Sequence, residues 1–259
     1  MKKLIVITLI LAAVSSACAS EPAKNPYSVK TGLAFSNVWG LYLANVIEKD
    51  GKISNVIIDR LANGKSSKEL HDNYGIKPVS TLGKDWWEQA AHYERWVVEH
   101  GIDAVKTDKN GRAENPDLLS GATINVAELS EAVKNALNGT TESGGYTVKT
   151  GTSYSNVWGL YLANIILKDG EIVKVLIDRI TLKGEDCKEM YDNYGMKPAS
   201  SIGKDWWEQV AYFEDWVLKN GIEAVKYDKE GHAENVDLVS GATMAVDDMT
   251  LAVLDALKH

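Results

Sequence analysis

Two seven-residue segments carry the residue types best suited to chemistry: Asp117-Leu118-Leu119-Ser120-Gly121-Ala122-Thr123 and Asp237-Leu238-Val239-Ser240-Gly241-Ala242-Thr243. Each is a small, polar turn that delivers a hydroxyl to what the apolar spacing behind it marks as the start of a helix. Free backbone N–H groups and the helix dipole make such an end a site for an anion. Gly121 and Ala122 let a bulky ligand approach the backbone closely. The plainer role is an N-cap, in which a Ser or Thr hydroxyl satisfies orphan helix donors. Ser-Gly-Ala-Thr alone does not separate the two.

Other chemistries find little support. The formal charge is −8, with 28 basic against 36 acidic residues, and nucleic-acid binding needs a Lys/Arg field to neutralise phosphates. Two cysteines, Cys18 and Cys187, make neither a Cys-rich zinc site nor a disulfide framework, and no Cys-x-x-Cys-His is present for c-type haem. No metal site and no NAD fingerprint is expected. Cys187 reads as a buried, inert thiol.

The elements that hold the two segments come as two copies of one unit. Tyr27–Arg60 aligns with Tyr146–Arg179 without gaps, and Gly64–Leu137 with Gly184–Leu257 after one inserted residue, with identities at 67 of 108 positions. The units are expected at 27–138 and 146–259, joined by a flexible polar linker at 139–145. Seven residues span at most about 24 Å, so the units must be neighbours. Mismatches are informative, because recent duplication explains matches. His71 faces Tyr191, His92 faces Tyr212, His100 faces Asn220 and His232 faces Arg112, so histidine is not the group both copies depend on. Within a copy, Gly40–Lys49 and Ile53–Ile58 read as strands about an Asp50-Gly51 turn. A short helix is predicted over Ser66–Tyr74, stopped at Gly75. Asp85 with Glu88 forms a capping box for a helix to His100, with Trp86, Ala90, Tyr93 and Val97 on one apolar face. A final helix should follow Thr123, burying Val126, Leu129, Val133 and Leu137. The fold class is α+β: two tandem domains, each a hairpin-based antiparallel sheet with packed helices.

With its Asp in place and a helix behind it, the segment resembles the flavinylation signature Asp-x-x-Ser/Thr-Gly-Ala-Thr of the covalent FMN-binding domain family. That family includes flavin subunits of Na+-pumping NADH:quinone oxidoreductases and Rnf complexes, and flavinylated bacterial surface lipoproteins. The resemblance covers both copies nearly end to end, including the Asp-Gly hairpin and the Lys84-Asp85-Trp86-Trp87-Glu88-Gln89-Ala90 helix. It implies two covalent FMN groups, joined as phosphoesters to Thr123 and Thr243 by a flavin transferase that uses FAD. Ser120, Gly121 and Ala122, with Ser240, Gly241 and Ala242, would form the turn about the phosphate. Asp117 and Asp237 would belong to the sequence the transferase reads. The implied activity is electron relay, from a membrane quinol or NADH oxidoreductase to an extracellular or periplasmic acceptor, without a self-sufficient active site.

The leader agrees with that address. Met1-Lys2-Lys3 and the apolar run Leu4–Val14 resemble a signal peptide, too short to span a bilayer. Residues 1–17 are expected to be removed. Ser15-Ser16-Ala17-Cys18 resembles a lipobox that leaves a lipidated Cys18, while Ala17-Cys18-Ala19 also fits simple cleavage. The lone leader cysteine and the polar stretch after it favour a membrane-anchored lipoprotein with an 18–26 tether. Outside the cytoplasm a dissociated flavin is lost by dilution, which a phosphoester prevents.

Among the aromatics, Trp86 and Trp206 lie on the apolar stripe and read as core. Trp87 and Trp207, about 100° around the helix, are the better candidates to stack on a flavin ring. Trp39 and Trp158 suit strand core and cofactor wall equally. Lys84 and Lys204 read as solvated. The competing function is a non-redox solute-binding or adhesive lipoprotein whose Ser-Gly-Ala-Thr segments only cap helices.

Overall fold

In each copy the chain is built outward from a central strand with almost no alternation. Seven consecutive residues of β2 (Gly40–Lys49), Leu41 to Ile47, are buried, the mark of a strand covered on both faces. The computed structural model describes residues 24–259; the expected signal peptide (1–17) and Cys18 lie outside them. β2 pairs antiparallel with β1 (Tyr27–Ser36) on one side and β3 (Lys52–Ala62) on the other, and β4 (Lys65–Ser66) extends the sheet to the order β1-β2-β3-β4. Asp50 and Gly51 turn the β2–β3 hairpin with φ of 52° and 75°, the left-handed pair that a type I′ turn needs. The short α1 (Ser67–Leu70) follows, then α2 (Trp86–His100), α3 (Pro116–Leu119) and α4 (Ala127–Asn138).

Asp85 and Glu88 close the expected capping box on α2, and Trp86, Ala90, Tyr93 and Val97 point into a core shared with α4 and the sheet. α4 lies directly on β1, where Gly32 makes the approach possible: a methyl there would run into the backbone of Ala136. The expected α+β class is what the chain adopts, but β1 extends the sheet beyond the hairpin that the sequence marks.

The second copy repeats the plan with β6 (Tyr146–Ser155), β7 (Gly159–Lys168), β8 (Glu171–Ile180), α5 (Cys187–Met190), α6 (Trp206–Asn220), α7 (Val236–Val239) and α8 (Asp247–Ala256). Residues 139–145 are not the free linker expected. They contain β5 (Glu142–Ser143), which pairs with β6. Leu33 N–H donates to Thr140 O at 3.1 Å and Val148 N–H to Thr141 O at 3.0 Å. Backbone groups that meet donors and acceptors on both sheets do not stay loose.

The sheet faces that carry no helices pack on each other, giving four layers: helices, sheet, sheet, helices. Leu33, Leu41, Leu43 and Leu61 meet Val148, Ile166 and Leu176. The reciprocal patch joins Tyr27, Ile47 and Ile57 to Leu160, Leu162 and Ile180. Equivalent positions thus exchange roles across a pseudo-two-fold axis, as in an isologous dimer. On the axis the Thr31 and Thr150 hydroxyls lie 2.8 Å apart, and the His71 and Tyr191 rings stack at 3.7 Å. Between them runs a buried ionic layer. Lys68 pairs with Glu94 of its own copy and Glu189 of the other, and Lys188 with Glu214 and Glu69.

Candidate functional site

Thr123 is positioned by a glutamine rather than by a helix end. Oε1 of the buried Gln89 on α2 accepts from Thr123 N–H at 2.8 Å, Ile124 N–H at 3.2 Å and the Thr123 hydroxyl at 3.2 Å. Gln89 is itself fixed, its Nε2 donating to Lys84 O and Ser80 Oγ. Gln209 holds Thr243 and Met244 in the same way.

The final helix begins at Ala127, later than expected. Asn125 Oδ1, not a Ser or Thr hydroxyl, accepts from Ala127 N–H at 2.8 Å. The expected anion nest is also closed. Ser120, Gly121 and Ala122 spend their N–H groups on Pro116 O and Leu118 O, which tie the turn to α3, and Ala122 is fully buried. In the second copy Gly241 and Ala242 donate to Leu238 O in the same way. The glycines serve packing: a methyl on Gly121 would run into the His92 ring, and on Gly241 into Tyr212. Ser120 and Ser240 are exposed, their hydroxyls donating to the Asp117 and Asp237 carbonyls at 2.6 Å.

Asp117 and Asp237 stand at the surface. Trp96 and Trp216 donate their indole N–H groups to these carboxylates at 2.7 and 2.8 Å, which holds both below the usual carboxylate range. Neither Asp lines the space that Thr123 faces.

That space is a cleft of about 500 Å³, within the roughly 300–1,000 Å³ typical of small-molecule sites. Trp39, Tyr42, Tyr74 and Trp86 give it aromatic walls, and Arg60 and Arg112 supply positive charge. Trp39, 47% exposed, stands at the tip of the β1–β2 hairpin, whereas Trp86 is almost wholly buried. Trp86 therefore serves both as core and as wall. Trp87 and Trp207 do not reach this space. The turn of the helix that separates them from Trp86 and Trp206 carries them to the seam between copies, against His71 and Tyr191. Their indoles donate to Asp72 and Asp192 at 3.3 Å.

Arg60 is the site residue that the sequence did not single out. Its guanidinium carbon lies 5.1 Å from the Tyr74 ring and 5.8 Å from the Trp86 ring, and its Nε donates to Ser67 Oγ at 3.1 Å. Among the described residues no carboxylate pairs with it, although it is buried. Arg179 repeats the arrangement, donating to the Tyr161 and Tyr194 hydroxyls at 3.3 and 2.6 Å and to Cys187 Sγ at 3.1 Å. Burial lifts the Tyr42 phenol to about 12, despite the nearby guanidinium, and burial likewise lifts the Cys187 thiol to about 12. Cys187 is thus an unreactive part of the second copy's core. The clue to Arg60 in the sequence is an Asp-Arg pair near the end of a strand, an arginine where an apolar residue would be expected.

A flat aromatic group with an anionic tail fits this donor set. The walls are indole and phenol faces, an uncompensated guanidinium offers charge-assisted hydrogen bonds, and the threonine hydroxyl marks one edge.

No family model matches the chain. Among curated proteins it is similar to a chlorophenol reductase of Desulfitobacterium hafniense, 35% identical over 92 residues that take in 30% of this chain and 28% of that protein. The chain thus matches little more than a quarter of that relative's length. A solution NMR structure of a protein from Clostridium thermocellum aligns with 43% of this chain and 88% of its own, at 22% identity and a TM-score of 0.30, a likeness too slight to argue from.

Proposed function

We propose that the chain is an extracytoplasmic electron-transfer flavoprotein carrying two FMN groups, as phosphoesters on Thr123 and Thr243. One observation carries the reading: the signature threonine faces an aromatic-walled cleft holding a buried arginine with no carboxylate partner. The chemistry that a flavin supplies when bound is transfer of one or two electrons. The chain's own part is to hold and tune. Gln89 and Gln209 fix the threonine backbone and hydroxyl. Trp39 and Trp86 flank the ring space, and Arg60 puts positive charge beside it, which favours added electron density.

Attachment follows the chemistry of a diphosphate. The threonine Oγ would supply the oxygen of a phosphoester to the FMN-side phosphorus of FAD, with AMP as the leaving group and the hydroxyl proton released to solvent. A flavin transferase performs this step. Asp117 and Asp237, at the surface beside each turn, are open to its recognition. A membrane quinol or NADH oxidoreductase donates electrons and an extracytoplasmic acceptor takes them, with Cys18 as the lipid anchor. The word reductase in the relative's name suits such a partnership. The competing role as a helix cap draws no support from hydroxyls whose partner is a glutamine.

The test uses the full chain made alongside a flavin transferase. Thr123→Ala and Thr243→Ala should each remove one FMN from the intact mass, and the double variant should be colourless after denaturation. A double variant that keeps covalent flavin would overturn the assignment.

A further inference from the structure

The two halves of the molecule differ in charge along one side of the seam. A cleft of about 410 Å³ opens there, between β3 and α2 of the first copy and residues 184–190 of the second, and Glu94, Glu99, Glu185, Asp186 and Glu189 line it. The duplication gives each a counterpart on the opposite side. Glu94 and Glu189 correspond to Glu214 and Glu69, but Glu99 corresponds to Lys219, Glu185 to Lys65 and Asp186 to Ser66. Asn55, also in the cleft wall, corresponds to Lys174. Arg95, also in the lining, corresponds to Asp215, so one half is roughly balanced while its twin sets five acids against one arginine.

What fills the balanced half is visible. Lys174 enters from β8, buried, with its Nζ 2.9 Å from Glu69 Oε2 and 3.7 Å from Asp215 Oδ1. In the acidic half Asn55 stops short. Its Nδ2 donates to Gly184 O at 2.9 Å and its Oδ1 has no partner. Asp186, 8% exposed, accepts from Glu189 N–H at 3.0 Å through Oδ1, while Oδ2 accepts no hydrogen bond. The nearby Lys68 Nζ stands 3.7 Å from Asp186 Oδ2 and is already shared by Glu94 and Glu189. Arg95 approaches Glu189 only from the rim, at 3.5 Å.

We infer that this cleft binds a small organic cation bearing a primary ammonium on an unbranched alkyl chain, a linear diamine being the simplest. The bound ammonium supplies positive charge on the side of the seam where Asn55 replaces Lys174. Glu189 and Asp186 supply countercharge at the inner end of the cleft, and Glu99 and Glu185 meet the second ammonium. An ammonium offers donors and no acceptor, the complement of a wall of acceptor oxygens. A metal ion is poorly matched, since among the described residues no group of three or more His, Cys, Asp or Glu is set to hold one.

The test is calorimetric titration of 1,4-diaminobutane into the full chain. The expected result is saturable binding at one site per chain, with a higher Tm in its presence. Asn55→Lys, which tethers an ammonium in the cleft as Lys174 does, should weaken binding at least tenfold. Glu185→Lys, an exposed change that copies Lys65, should weaken it severalfold without disturbing the fold. No saturable heat from the wild type would overturn the inference. So would undiminished binding by Asn55→Lys, or equal binding of 1-butanol, which has the chain without the charge. None of these outcomes depends on the flavin.

Discussion

The single residue on which the cleft's geometry rests is Gln89, an amide that gathers three donors from two successive residues. Removing it leaves the Thr123 and Ile124 N–H groups without an acceptor, and a buried unpaired donor costs about 1–3 kcal/mol. Gln89→Ala is therefore expected to destabilise flavin-free protein by about that amount in urea unfolding. Thr123→Ala, which gives up one long hydroxyl bond of 3.2 Å, is expected to cost less than about 1 kcal/mol. Equal costs would mean that the glutamine does not organise the turn. The resemblance to the flavinylation signature is what picks out Thr123 as the residue of interest. It cannot identify Gln89, which lies 34 residues earlier and looks like any polar residue on a helix. Arg60 was hidden for a similar reason: its partners are rings contributed by three other segments, Tyr42, Tyr74 and Trp86.

At the scale of elements, local signals were legible and contacts between elements were not. The capping box at Asp85 and Glu88, the Asp50-Gly51 turn and the apolar stripe of α2 are written in residues within a few positions of one another, and all stand as expected. The start of α4 was misplaced because Ile124 to Val126 are held out of the helix by Gln89 and by Gly111 O, which accepts from Val126 N–H at 2.8 Å. Those are tertiary bonds that periodicity does not record. Trp87 stands away from the cleft because the face it occupies is filled by the second copy. Gly32 shows the same dependence on a neighbour. Gly32→Ala must lift α4 from β1, and overpacking of this kind costs about 1–3 kcal/mol or more. Chemical denaturation should show that loss, and Gly151→Ala should match it, since a methyl there meets the backbone of Ala256. A neutral Gly32→Ala would contradict the close approach of helix and strand.

Over the whole molecule, the duplication has made an internal dimer whose two sheets share one buried seam. A fragment of residues 27–138 would expose Leu33, Leu41, Leu43 and Leu61, so it should self-associate in sedimentation equilibrium; a monomer with cooperative unfolding would contradict the seam. His71 tests the same seam by pH. Burial first, then the ammonium groups of Lys188 and Lys68, lowers its imidazole from 6.5 to about 4. The unfolded ring therefore takes up a proton that the folded one refuses. The stabilisation from neutral His71 is complete above pH 6.5 and is lost as pH falls towards 4, on the order of 3 kcal/mol. His71→Phe keeps a ring against Tyr191 and removes the titration, so its stability relative to wild type should rise across that window; a constant difference would contradict the burial of a neutral imidazole. The central claim, one covalent flavin on each half of this internal dimer, is tested most directly by the intact mass of the full chain purified from cells that also hold a flavin transferase. The account predicts a gain of two FMN less two waters, with yellow colour that survives denaturation. A colourless chain at its unmodified mass, while a known flavinylated protein is modified in the same cells, would contradict it.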